Sequence, residues 1–157
     1  MTSFYDIATA IVAATMAGNE FAVAAFVHPQ LEKLTDKAHA QTAPLLARSL
    51  GRAMPIWYGV ALALLLGAAW EHRPINTGPG LLIASAASIW TATILFTILM
   101  LVPINNRIAR MNPEDPHTNW RTDRVRWDRL HRIRVALLIL AVILLFTGLF
   151  SSHPALR

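Results

Sequence analysis

Four apolar runs, at about residues 7–27, 54–70, 81–102 and 135–150, alternate with polar stretches along this chain. Each is long enough, alone or with its flanks, to cross a bilayer as a helix. The pattern predicts spans over about 5–27, 54–71, 81–103 and 131–150 and an all-α fold: an integral membrane antiparallel four-helix bundle forming one domain over residues 1–157. The first run lacks a basic leader and carries Asp6, so it reads as a helix of the mature protein. Proline restricts the residue before it, so His28-Pro29 sets the expected end of the first helix. Ala10, Ala14, Gly18 and Ala22 recur every four residues along it, the spacing at which small side chains let membrane helices approach closely. Residues 30–51 read as an amphipathic segment in one or two helical pieces, broken near Pro44 and lying at the membrane interface. Pro74, Asn76, Gly78, Pro79 and Gly80 make a turn between the second and third spans, and Pro103 marks an end or a kink of the third. Thr118 or Asn119 can cap the fourth helix, which starts well before its apolar run.

Charge adds an orientation. Threading the chain back and forth puts Lys33, Lys37, Arg48, Arg52, Arg107, Arg110, Arg121, Arg124, Arg126, Arg129, Arg132 and Arg134 on one side, and only Arg73 and Arg157 on the other. By the positive-inside rule the basic segments face the cytoplasm of a plasma or inner membrane, with both termini outside. At 55% hydrophobic and 15% charged residues the chain is far less charged than a soluble domain. The net charge of +5 borders apolar runs, which favours anionic lipid over nucleic acid as its partner. With no cysteine there is no disulfide framework and no thiol chemistry.

The same threading gathers polar residues at the basic end. Asn19 and Glu20 sit inside the first apolar run, where a carboxylate is costly and faces a partner or a cavity. Trp120, Asp123, Trp127, His131 and Arg134 follow spacings of three and four, hence one helical face, with Arg124 close to it and Arg121, Asp128, Arg129 and Arg132 pointing outward. His28, Arg52, Asn105, Asn106 and Arg107 lie at the same end. One polar pocket capped by the amphipathic segment is expected, since bundles build sites from facing helices. Glu20 would serve as a general base, with His131 sharing that work and Asn105 nearby, and Arg52 or Arg107 would stabilise an anion. Asn19, His28, Asn106, Arg107, Trp120, Asp123 and Trp127 are the expected substrate contacts. Glu20, His28 and His131 are also the types that ligate a transition metal, so a metal stays open, although no motif of fixed ligand spacing occurs. A buried ion pair that only locks helix packing is the other role open to Glu20.

These residues resemble the anthrone oxygenase-like family of small four-helix membrane proteins. The resemblance lies in Gly18-Asn19-Glu20, His28-Pro29-Gln30-Leu31, Arg52-Ala53-Met54-Pro55, Pro103-Ile104-Asn105-Asn106-Arg107 and the run from Trp127 to Arg134. It carries over Asn19, Glu20, His28, Pro103, Asn105, Asn106, Trp127 and His131. It implies a membrane-embedded oxygenase that oxidises a small lipophilic, anthrone-like aromatic with O2 and no further cofactor fixed. The alternative is a non-catalytic membrane protein that binds a hydrophobic ligand, quinone, haem or metal. The expected partners are a small lipophilic substrate and membrane lipid; the sequence allows an oligomer.

Reporter fusions test the orientation. A fusion after Arg157 should report from outside and one within residues 112–118 from the cytoplasm; a cytoplasmic signal from the C-terminal fusion refutes it.

Overall fold

A computed structural model describes residues 3–151, and within them four helices are long and apolar enough to cross a membrane: α1 Phe4–Leu31, α2 Asp36–Glu71, α3 Gly78–Ala109 and α4 Trp120–Ser151. No strand occurs among the described residues. The start of α1 lies by the end of α2, where Tyr5 donates to the Leu64 carbonyl at 3.1 Å and Asp6 pairs with His72 at 3.0 Å. The end of α3 lies by the starts of α2 and α4, through Asn105 to the Ala47 carbonyl and Arg107 to Asp123. Ser3 and Asp6 close a capping box that starts α1, satisfying otherwise orphaned amides. The main core is apolar and continuous along the spans, with Met16, Leu65, Ile83, Trp90, Leu138 and Leu145 fully buried. A second apolar cluster at the basic end joins Ala40, Ala43 and Ala47 of α2 to Ile104 and Ile108 of α3 and to Trp120 and Trp127 of α4.

The prolines behave otherwise than the sequence alone suggests. Neither Pro29 nor Pro103 ends its helix. Each is preceded by a π turn, Val23–Val27 in α1 and Thr97–Leu101 in α3, and helical structure resumes to Leu31 and Ala109. His28 N–H donates to the Val23 carbonyl and Val102 N–H to that of Thr97, five residues back rather than four. Proline lacks the N–H of an α-helical bond and its ring crowds the carbonyl four residues back, so a wider turn just ahead of it relieves the conflict. The wide turn also absorbs one residue of helical phase. Eight residues of plain α-helix overshoot two turns by about 80°, whereas seven nearly complete them. Glu20 and His28 are eight apart, as are Thr93 and Leu101, and all four are buried.

The amphipathic segment is helical, but Pro44 does not break it. Residues 36–51 form the first part of α2, which runs on through Pro44 and Pro55 as one helix of 36 residues. Its buried alanines pack on the ends of α3 and α4, and this burial outweighs the local propensity of proline.

The small-residue stripe is also displaced. The face of α1 that packs inward is Asp6, Thr9, Ala13, Met16, Ala17 and Glu20; Gly18 is exposed, with no atom within 4 Å of where a Cβ would stand. The tight glycine is Gly148 of α4, where a Cβ would meet Ile83 Cγ1 at 2.7 Å and the Pro79 carbonyl oxygen at 3.1 Å. Gly148→Leu should therefore destabilise the bundle by about 1–3 kcal/mol through overpacking, while Gly18→Leu leaves it unchanged. Unfolding of the two variants in detergent checks this; equal stabilities refute it.

Candidate functional site

Glu20 is the buried carboxylate around which the basic end is organised, with a relative exposure of 2%. Arg134, on α4, donates from Nη2 to Glu20 Oε2 at 2.5 Å and to His131 Nδ1 at 2.9 Å. His131 Nε2 lies 3.2 Å from the Glu20 backbone carbonyl, just ahead of the first π turn. A carbonyl only accepts, so Nε2 carries the proton and Nδ1 presents a lone pair to Arg134. These bonds assign the neutral tautomer and fix the ring through both nitrogens. The 3.3 Å approach of Nδ1 to Glu20 Oε2 is then a contact between two acceptors bridged by one guanidinium.

A second buried cluster backs the first. His28 donates from Nδ1 to Asp128 Oδ1 at 2.8 Å, and Arg124 Nη2 reaches the same oxygen at 3.0 Å. Trp127 joins the two clusters: its ring stacks on His131 at 4.7 Å between centroids and lies 4.7 Å from His28. The absorbed residue of the π turn lets His28 share a face with Glu20.

A cavity of about 510 Å³ opens beside this assembly, a size typical of small-molecule sites. Its polar end is formed by Glu20, His131, Arg134 and Tyr58, and its walls by apolar side chains such as Val23, Leu62, Ile94 and Leu101. Both π turns border it, through Val23 and through Thr97, Ile98 and Leu101. Trp127 Nε1 and Arg134 Nε are buried without a hydrogen-bond partner among the described residues, and the Tyr58 hydroxyl lies beside the Glu20 carboxylate. Tyr58 and Trp127 flank Arg134, their ring centroids 5.7 and 5.9 Å from its guanidinium carbon. Unsatisfied buried donors are uncommon and call for an explanation.

The structure brings only part of the sequence-derived set together. Glu20, His131, Asn19, Asn105, Asn106 and Trp127 line the cavity. Asn19 Nδ2 points to Met54 Sδ at 3.8 Å, and Asn105 donates to the Ala47 carbonyl at 3.1 Å. His28 sits behind Trp127, bound to Asp128. Arg52 is exposed and outside the cavity lining. Arg107 forms a two-pronged pair with Asp123 at 2.7 and 2.8 Å near the surface, and Trp120 packs edge-on against His39. Asp128, expected to point outward, is buried and paired with His28 and Arg124. Glu20, His28 and His131 do not converge as metal ligands: Arg134 lies between the carboxylate and the imidazole, and no group of three such side chains could hold a metal among the described residues. Sequence reasoning missed Tyr58, an aromatic inside an apolar run with no polar neighbour to mark it.

Breaking a buried pair leaves one charge uncompensated, whereas removing both partners restores an apolar core. Arg134→Met should lose about 3–5 kcal/mol, and adding Glu20→Met should recover most of it. Denaturation of both variants in detergent tests the coupling; additive losses overturn it.

Residues 43–144, well over half of the chain, match the anthrone oxygenase family, a stretch that includes Tyr58, Asn105, Trp127, His131 and Arg134 but not Glu20. No curated protein and no solved structure matches the chain. With this match, and with four long apolar helices and no strand among the described residues, the chain belongs to the anthrone oxygenase family.

Proposed function

We propose that this protein is a membrane oxygenase that oxidises a small lipophilic, anthrone-like ketone with O2 at the polar end of the cavity. The observation that carries the reading is the position of Glu20 and Arg134, a buried carboxylate and guanidinium at one end of a mostly apolar chamber. In an anthrone, a methylene lies across the ring from a carbonyl. Loss of one methylene proton gives an enolate, which O2 oxidises. The methylene loses two hydrogens and gains one oxygen atom, and the second oxygen leaves as water.

Glu20 is the base in this scheme. Accepting the proton removes its charge, just as the substrate oxygen gains one. Arg134 serves both: the guanidinium released from Glu20 attracts the enolate oxygen, the pre-placed charge that stabilises such intermediates. Arg134 takes the anion-stabilising part first given to Arg52 or Arg107, since those two lie away from the cavity. Trp127 adds an N–H donor for a ligand oxygen beside Arg134, and the Tyr58 hydroxyl lies beside Glu20. His131, bonded through both nitrogens, positions Arg134 rather than moving a proton. We place this end on the cytoplasmic side, by the distribution of Lys and Arg.

The double engagement of His131 and the direct Glu20–Arg134 contact favour a second reading, a non-catalytic binder of a lipophilic ketone or quinone. Oxygen uptake separates the two. The purified protein in lipid nanodiscs should consume one O2 per anthrone, and Glu20→Gln should lower the rate per folded molecule about 10²-fold or more, as expected for loss of a general base, with the folded fraction measured alongside because the variant leaves Arg134 unpaired. Anthraquinone binding without O2 uptake supports the binder; O2 uptake unaffected by Glu20→Gln rejects Glu20 as the base.

A further inference from the structure

Part of the cavity lining is exposed on the outer surface of α2 and α3. On α2 its rim is Gly51, Pro55 and Gly59, all exposed, and on α3 it is Ile98 and Val102. The three α2 residues are four apart and share one face, with two of them lacking a side chain. The α3 side is the second π turn and the residue after it. At Gly51 the helices are close, a Cβ there meeting Asn105 Nδ2 at 3.1 Å. The gap is at Gly59, where no atom of the described residues beyond its own stretch of helix lies within 4 Å of a Cβ.

The surroundings of the gap say what meets it. Ile56, Val60, Leu95 and Leu99, beside the rim in sequence, are exposed by 48–72%. They lie inside the apolar runs at about residues 54–70 and 81–102, so on the membrane reading of these helices the outer face here meets hydrocarbon. The cavity therefore joins a charged inner end to the acyl layer through a mouth with little side-chain bulk.

We infer that the mouth between residues 55–59 of α2 and 98–102 of α3 is a lateral portal. Through it a planar lipophilic molecule dissolved in the bilayer reaches Glu20 and Arg134, with Gly59 as the threshold. This rests on reading the cavity as a substrate site. Gly59 selects by bulk: any side chain there projects into the passage without displacing a packed neighbour.

The absence of cysteine makes access directly measurable. Val23, buried on the α1 wall of the cavity, becomes a reporter as Val23→Cys. In liposomes, N-phenylmaleimide should label it, as read by intact mass, and a membrane-impermeant sulfonated maleimide should not. Adding Gly59→Trp should slow the lipophilic label on the order of tenfold or more. Adding Gly18→Trp should not, although Gly18 is an equally open helical glycine on another face. Equal rates in the Gly59→Trp and Gly18→Trp backgrounds overturn the portal. So does labelling by the charged reagent at the lipophilic rate, or labelling by neither reagent. Labelling needs no catalysis, so a Gly59-dependent rate in a protein that consumes no O2 with anthrone leaves the portal standing and removes only the oxygenase.

Discussion

A carboxylate inside the bilayer sets the terms for everything else at the basic end of this protein. Glu20 cannot be left bare in hydrocarbon, and α1 offers it no cation within reach on its own face. Arg134 supplies the charge from α4, which fixes the height of one helix against the other. With that register set, His131 meets the Glu20 carbonyl, the rings of Trp127, His131 and His28 pack against one another, and Asp128 closes on His28 and Arg124. Each of these contacts lies within about two turns of the pair, so each depends on the same alignment. Such a pair contributes more to uniqueness than to net stability, because desolvation offsets much of its attraction.

The gross fold was legible because the membrane imposes a coarse requirement: about twenty apolar residues per crossing and basic residues between crossings. Helix ends were less so. Pro29 and Pro44 read locally as breaks and Pro103 as an end or a kink, yet all three lie within continuous helical structure. Hydrogen-bond register and burial against neighbours decided those positions, and neither is a property of the local sequence. Gly18 was misplaced for a related reason. Small residues are needed wherever helices touch, but several stripes on α1 contain them, and only the partner helices select between them.

At the site, Glu20 and His131 were found by type and depth alone, while the roles around them were not. Arg134 was visible on the inward stripe of α4, but spacing could not show that it would claim both Glu20 and His131. Asp128 sits one residue from Trp127 and was assigned outward. Its partner, His28, lies beyond the π turn, where counting in α-helical phase gives the wrong face. Tyr58 carried no signal at all, because an aromatic among aliphatic residues looks like core until a cavity appears beside it.

The π turns have a consequence for how this architecture can change. In a plain α-helix, gaining or losing one residue rotates everything downstream by about 100°, whereas a π turn already holds one residue more than an α-helical turn and takes up its loss locally. Deleting a residue between Val23 and Val27 would turn that stretch into plain α-helix with Glu20 and His28 seven apart, so His28 would keep its face toward Asp128. The same deletion in α3 would keep Asn105 turned to Ala47, with Trp90 and Thr93 unmoved upstream. Each of these two helices thus stores one spare residue at its wide turn. A single-residue deletion, normally ruinous in a membrane span, would at these two places shorten the helix by one residue and leave the faces that build the chamber aligned.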